Sequence, residues 1–279
     1  MSNSEDSEFV YLLVDNSLLH ETSREYREAN LNSRPMWLEP IYSDRALEVS
    51  PLLIDVEAAY DAGDIDRVMV YLNARKPALH VSIIESELKL KNVVQHLRRF
   101  IFILDPEGRQ LTLRYADCSV IATLAFILTK TQWATLKSPI SRWGIHSRAG
   151  SIIELPLAES DEYLLTPLRL EREQLAALDE ASEPDHFIAK VKMMNHGKEF
   201  PGNVEEQHAW ALAARQIWRS ANNSNKIYLI NLTKAALVTR GEILYRRDLQ
   251  ECMALEGISM FRERLKEIVS NIRGGECEI

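Results

Sequence analysis

The alternation of apolar and polar residues divides this chain into a first half of mixed strands and helices and a second half of helices. Residues 90–97 place apolar side chains at i, i+3, i+4 and i+7, the stripe of an amphipathic helix, and Ser86 is its expected N-cap. Residues 100–104 and 111–115 have the pattern of two strands, joined by the turn sequence Asp-Pro-Glu-Gly at 105–108. The pattern therefore predicts a helix that leads into a tight hairpin.

Further strands and helices are predicted around this hairpin. Residues 50–56 and 78–86 have a strand pattern, and between them Asp64 precedes a helix with an apolar stripe. Residues 118–128 are almost entirely apolar and include good helix formers, which favours a buried helix over a strand. Residues 141–155 form a second predicted hairpin. The first half is therefore expected to be an α/β-type domain.

The composition changes after Pro156. Residues 158–167 are polar and acidic and end in a proline, as in a linker or a domain-entry loop, and two helices are predicted beyond them on either side of Pro184. The predicted fold class is α+β. An α/β-type N-terminal domain over residues 8–157 precedes an all-α helical domain over residues 158–279.

Capping signals define two helices of the second half. Asn203, followed three residues later by Glu206, matches a capping box and starts one helix. Residues 222–225 (NNSN) end that helix, because short polar side chains compete with the backbone for hydrogen bonds. The last helix is predicted from about Ser259 and is closed by the glycines at 274–275.

Charge and composition exclude several classes of protein. A net charge of −8 argues against a general nucleic-acid binder, although a local basic patch remains open. No apolar run reaches the roughly 20 residues of a membrane-spanning helix, and the acidic N-terminus does not resemble a signal peptide, so a cytoplasmic protein with no membrane partner is expected. Three cysteines without a CxxC spacing indicate neither a disulfide framework nor a structural zinc site.

The usual sequence marks of catalysis are absent. The chain has no GxSxG, HExxH, Walker or GxGxxG motif, and no two of its seven histidines lie four residues apart, so no cofactor, no metal and no enzymatic activity are expected. The alternative is a hydrolase or transferase built around Asp117 and Cys118, with His96 or His146 as base. A buried, unreactive Cys118 is the competing interpretation. The three aspartates at 61, 64 and 66 lack the later glutamate of a calcium loop and are interpreted as helix-capping acids.

Arginines and tryptophans are the candidate partner-binding residues, because such side chains anchor protein interfaces. The four arginines are expected at one helix end and one hairpin, where they either form a patch for an acidic partner or serve the helix dipole and solubility. Most tryptophans are expected in the core, and one or two at an interface. The candidates are Arg98, Arg99, Arg109, Arg114, Trp143, Trp210 and Trp218.

An ordered set of segments in the first half resembles the effector chaperone family of type VI secretion systems, whose members are also called effector adaptors. The segments keep the order and spacing of that family over about a hundred residues, a domain-sized match. They are FVYLLVD (9–15), SPLLIDV (50–56), ALHVSIIES (78–86), HLRRF (96–100), DPEGR (105–109), RYADCSVIATLAFIL (114–128), TKTQWATL (129–136) and a Pro139-Ile140 pair before the Trp143 strand.

This resemblance implies a non-catalytic function. Proteins of that family bind a cognate toxic effector and help to load it onto the VgrG spike protein before secretion. The expected partners are therefore an effector and VgrG. The helical half has no counterpart in the resemblance, so it is the expected cargo-specific part.

Overall fold

The computed structural model describes residues 8–19, 34–42, 44–160, 162–197 and 199–274. The chain divides into two compact units, between Asp179 and Glu180. The first unit contains a sheet with helices and the second contains helices alone among its described residues, which confirms the predicted α+β class followed by an all-α region. The boundary predicted from the sequence, at 157/158, lies before this division. The structure assigns the residues between the two positions to the first unit, because Leu168 and Leu170 are buried in its core.

A six-stranded antiparallel sheet forms the centre of the first unit. The described strands of this unit are β1 (Phe9–Val14), β2 (Leu38–Pro40), β3 (Leu52–Asp55), β4 (Val81–Ser86), β5 (Phe102–Leu104), β6 (Gln110–Thr112), β7 (Arg142–His146) and β8 (Ile152–Glu154). The strand order in the six-stranded sheet is β2-β3-β1-β4-β7-β8, and β5 and β6 make a separate two-stranded sheet.

Helices cover both faces of this sheet. They are α1 (Val56–Asp61), α2 (Ile65–Asn73), α3 (Leu90–Arg98), α4 (Cys118–Ile127) and α5 (Lys130–Lys137). Successive residues of a strand point to opposite faces, so Tyr11 and Leu13 join the core formed with α3, α4 and α5, whereas Leu12 and Val14 join the core formed with α1 and α2. Burial on both faces explains why β1 is apolar without alternation.

The hairpin β5–β6 is confirmed at the predicted turn. The Gly108 N–H donates to the Asp105 carbonyl at 3.0 Å, and Gly108 has a φ of +83°, a conformation that glycine adopts without strain. The predicted N-cap of α3 is wrong. Lys89 holds that position, while Ser86 ends β4 and donates a side-chain hydrogen bond to the Pro139 carbonyl. The hydroxyl of Ser86 therefore bonds to the segment before β7 and to the Leu88 N–H at 3.1 Å, four residues before the helix.

The described residues of the second unit form the end of one long α-helix, four further α-helices and a short 3-10 helix (Glu242–Tyr245). The α-helices are α6 (Arg172–Met194), α7 (Val204–Ser220), α8 (Lys226–Val238), α9 (Asp248–Met253) and α10 (Ile258–Arg273), and the division between the units falls inside α6. The capping box of Asn203 and Glu206 is confirmed, and Gly274 ends α10 with a φ of +73°. Gly275 lies outside the described residues.

The prediction of two helices around Pro184 is wrong, because α6 continues through the proline. An internal proline removes one backbone hydrogen bond and costs about 3 kcal/mol. Side-chain contacts on both sides of it offset that cost. Before the proline, Glu180 and Glu183 bind Arg215. After it, Phe187 and other apolar residues are buried, and the burial of each apolar side chain contributes about 1.5–3 kcal/mol to stability. Within the described residues, none of the helices combines the length and apolar composition needed to cross a bilayer.

Candidate binding surfaces

Cys118 lies in a buried environment that keeps its thiol protonated. Its side chain is 1% exposed and its Sγ donates to the Val81 carbonyl at 3.2 Å. Burial raises the pKa of the Cys118 thiol to about 12, whereas a nucleophilic thiolate requires a lowered pKa. The His146 Nδ1 contacts the same carbonyl at 2.8 Å, and the His96 Nε2 contacts the Leu136 carbonyl at 2.7 Å. These three side chains are therefore engaged by backbone groups.

Asp64, one of the three aspartates interpreted as helix-capping acids, has structural contacts. Asp64 precedes α2 without a side-chain capping bond, and its carboxylate instead accepts from the Trp37 Nε1 at 2.9 Å and from Arg67 at 3.1 Å. Those bonds lower the pKa of Asp64. Within the described part of the chain, no group of three His, Cys, Asp or Glu side chains is placed to hold a metal ion. Cys277 lies outside that part.

The candidate arginines of α3 contact neighbouring segments. The Arg98 guanidinium donates to the backbone carbonyls of Ile41 at 2.9 Å and Pro40 at 3.1 Å, so it ties the end of α3 to β2. Arg99 donates to the Thr166 hydroxyl at 3.4 Å and lies over the Phe100 ring, 5.8 Å from its centroid. Arg98 is thus satisfied within the fold, while Arg99 is held only by weak contacts at the surface.

The candidate arginines of the hairpin form ion pairs. The Arg109 Nε donates to the buried carboxylate of Asp105 at 2.6 Å, which fixes the turn. Arg114 donates to the buried Asp15 at 2.8 Å and also lies 3.5 Å from Asp117. Each of these arginines has its own carboxylate partner, so the fold itself accounts for both charges.

The structure places the candidate tryptophans mainly inside the two cores. Trp143 is fully buried, donates to the Ser82 hydroxyl at 3.0 Å and stacks on Trp133, which corrects its candidacy as a surface residue. Trp218 is 8% exposed and donates to the Asn225 carbonyl at 3.2 Å. Residue type alone made Trp143 a candidate, and residue type does not show that Trp133 of α5 packs against it.

Trp210 is partly buried between two glycine backbones. A Cβ on Gly202 or on Gly241 would lie 2.5 Å from its ring, and both glycines have a positive φ. Trp210 therefore has a structural role in closing the second unit, and only part of its ring reaches the surface.

Strand β8 is an exposed edge that sequence reasoning did not single out. Ile152 is 56% exposed and Ile153 is 46% exposed, and β8 pairs only with β7 among the described strands. The ladder is fixed by bonds from the Leu155 N–H to Trp143 and from Ser147 to Ser151, both at 2.8 Å. Bonded pairs alternate along an antiparallel ladder, so the backbone groups of Ile152 and Glu154 face the free edge.

The segment after β8 continues this apolar surface. The Pro156 carbonyl accepts from the Trp133 Nε1 at 3.1 Å and from the Lys137 Nζ at 2.8 Å. The Leu164 N–H donates to the Thr135 hydroxyl at 2.9 Å, so the segment lies along α5. With this backbone anchored, large apolar side chains remain exposed, among them Leu157 (69%), Tyr163 (60%) and Leu165 (93%).

Comparison with known families gives one match, which covers part of the first unit. Residues 10–135 match the model of a family described as a domain of unknown function, DUF4123. No curated protein and no solved structure matches the chain.

The DUF4123 match begins in β1 and ends in α5. It includes the four candidate arginines and Cys118. Strands β7 and β8, the exposed segment after them and the whole helical unit lie outside it.

Proposed function

We propose that this chain is a non-catalytic chaperone or adaptor that binds a cognate toxic effector of a type VI secretion system and helps to load it onto the VgrG spike protein. The DUF4123 match over residues 10–135 supports this proposal, because it coincides with the segments that resemble the effector chaperones. In this proposal the protein acts in the cytoplasm, before the spike is fired.

The edge of β8 is the proposed contact for an effector segment, so the proposal puts this contact in the first unit and not in the helical half that the sequence favoured as the cargo-specific part. A free edge with outward N–H and C=O groups binds an extended peptide as an additional strand, and neighbouring apolar side chains supply specificity. Ile152 and Ile153 offer those side chains, and the exposed leucines after Pro156 extend the surface. An effector segment that is insoluble alone would be shielded there.

Affinity purification from a producing bacterium tests the proposal as a whole. The tagged full-length chain is expected to recover one effector and VgrG, identified by mass spectrometry. An unrelated tagged protein of similar charge is the control. Recovery of neither partner, with a chain that is folded and expressed at its natural level, would contradict the proposal.

A pair of substitutions at one position tests the edge contact. Ile152→Pro removes an outward N–H while leaving the ladder to β7 intact, and Ile152→Val keeps the N–H with a similar side chain. Effector recovery is expected to fall at least fivefold in the proline variant and to be unchanged in the valine variant. Equal recovery by both would place the effector elsewhere.

The alternative activity, a hydrolase or transferase at Cys118, is distinguished by Cys118→Ala. The adaptor proposal expects full effector recovery from this variant, because the thiol is buried and protonated. Turnover of a substrate by the purified chain that is lost in Cys118→Ala would instead establish the enzyme.

A further inference from the structure

The second unit contains an apolar groove between three helices. A cavity of about 240 Å³ opens between α6, α8 and α10. Its apolar lining includes Val191 from α6, Ile230 and Ala235 from α8, and Leu265 and Val269 from α10. A largely apolar concave surface of this kind suits a ligand with an apolar face.

Three cations line this groove. Lys234, Arg262 and Lys266 line it, no carboxylate does, and none of the three makes an ion pair or side-chain hydrogen bond with another described residue. Arg264, on the same helix but outside the lining, is by contrast paired with Glu267 at 2.8 Å. In a chain of net charge −8, an uncompensated cationic rim is complementary to an acidic ligand.

The groove is long enough for a short helix. A second cavity of about 740 Å³ shares Lys234 and Val238 with the first and reaches Ile272. From Arg262 to Ile272 the groove follows α10 for about 15 Å, nearly three helical turns. The second cavity is also lined by two glutamates, Glu199, which is paired with Lys192, and Glu242. The first cavity has no carboxylate in its lining and is therefore the cationic end of the groove.

The secondary structure around the groove favours a helical ligand. The described part of the second unit contains no strand and hence no free sheet edge. An extended peptide would leave its buried backbone groups without partners there, whereas a helix satisfies its own. Met194 at the rim is 57% exposed, and a flexible methionine adapts to the apolar side chains of a bound helix.

We propose that this groove docks the apolar face of an acidic amphipathic helix of a partner protein. All residues of this groove lie in the second unit, so the groove proposal does not depend on the type VI assignment. The β8 edge, proposed above for an extended strand, belongs to the first unit.

A synthetic peptide tests this proposal with the full-length chain. The probe is a fluorescein-labelled amphipathic peptide of about 14 residues, with leucines at i, i+3, i+4 and i+7 and glutamates on its other positions. Fluorescence anisotropy is expected to show saturable binding. The same peptide with lysines in place of the glutamates is expected to bind at least tenfold more weakly, as is a scrambled peptide of identical composition.

Charge-reversal variants locate the site. Lys234→Glu and Lys266→Glu combined are expected to weaken the glutamate peptide about tenfold, with unchanged circular dichroism. Arg247→Glu is the control, because Arg247 is exposed outside the groove. Equal binding of the two peptides, or unchanged affinity in the double variant, would overturn the proposal.

Other occupants of the groove are separable outcomes, and each would overturn the proposal. A dimer in sedimentation experiments that the double variant abolishes would assign the groove to a second copy of this chain. Loss of binding to phosphatidylserine vesicles in the same variant, without an effect on the peptide, would assign it to an anionic membrane surface.

Discussion

At the scale of single residues, Arg215 is a buried charge on which the helical unit depends. Its side chain is 3% exposed and donates from Nε to Glu183 and from a terminal nitrogen to Glu180 at 2.5 Å. The bond from Arg215 lowers the pKa of Glu180. Burial raises the pKa of Glu183, but the bond and charge of Arg215 outweigh it and the pKa is lowered. The two paired carboxylates therefore contribute stability at a pH above their ordinary pKa values. This contribution is lost as the pH falls through their lowered pKa values in the folded protein.

Arg215→Ala should destabilise the second unit by about 2 kcal/mol or more, because it removes the buried partner of both carboxylates and leaves them only the exposed cations Arg219 and Lys226. Urea unfolding followed by circular dichroism measures the change. Arg219→Ala is the matched control, since Arg219 also binds Glu180 but is 52% exposed, and its loss should cost less than about 1 kcal/mol. Equal destabilisation by the two variants would contradict the importance of burial.

Buried thiols predict instability at alkaline pH. Burial raises the pKa of Cys118 to about 12 and that of Cys252 to about 11, above the ordinary value of 9.0. The unfolded chain loses these protons first, so the free energy of unfolding should fall between about pH 9 and 12, by up to about 1.4 kcal/mol per pH unit for each thiol. Urea unfolding from pH 8 to 10.5 should show a shallower decline in Cys118→Ala than in the natural chain. Identical slopes would indicate that other groups dominate.

At the scale of elements, the β8 edge predicts an asymmetry between adjacent positions. Ile153→Pro removes an N–H that bonds to β7, whereas Ile152→Pro removes one that faces the free edge. Thermal unfolding should therefore show a loss of about 1–2 kcal/mol for Ile153→Pro and less than about 1 kcal/mol for Ile152→Pro. A larger loss for Ile152→Pro than for Ile153→Pro would mean that the N–H of Ile152, and not that of Ile153, bonds to β7.

Local sequence signals predicted the elements whose causes are local. The turn at Asp105 to Gly108, the Asn203 capping box, the buried face of α3 and the glycine end of α10 all follow from neighbouring residues, and all are confirmed. Errors arose where distant contacts decide. Pro184 lies inside a helix because Arg215, 31 positions later, and the core hold both sides of it.

The candidate surfaces were harder to predict than the fold. Arginine and tryptophan were chosen by residue type, but an arginine is available to a partner only if the fold leaves it unpaired. Arg98, Arg109 and Arg114 are satisfied by carbonyls or carboxylates that lie far away in sequence or in the turn. The exposure of β8 and the unpaired cations of the second unit depend on which element ends the sheet and on how three helices pack. Periodicity does not contain that information.

At the scale of the whole molecule, the position of the division between units predicts where the chain can be cut. Residues 1–179 retain Leu168 and Leu170, whose backbones bond to Leu104 at 2.8 and 2.9 Å. They also retain Gln174, whose side chain donates to the Ile127 carbonyl at 2.8 Å. Residues 1–158 lose all three contacts.

The fragment 1–179 is therefore expected to unfold cooperatively, whereas the fragment 1–158 loses the burial of two leucines, worth about 1.5–3 kcal/mol each. Near-ultraviolet circular dichroism of the Trp133–Trp143 pair reports the tertiary structure of both fragments. A cooperative 1–158 with the signal of the longer fragment would move the boundary back to the position predicted from sequence.

The open side of β8 has a consequence for how the protein is made. A short apolar strand with unsatisfied backbone groups will also pair with the wrong neighbour, including newly synthesised copies of itself. Binding of the natural partner at the β8 edge therefore affects the solubility of the protein as well as its function. Joint production with its natural ligand should raise the yield of dispersed protein, and a cell gains from translating the two messages side by side.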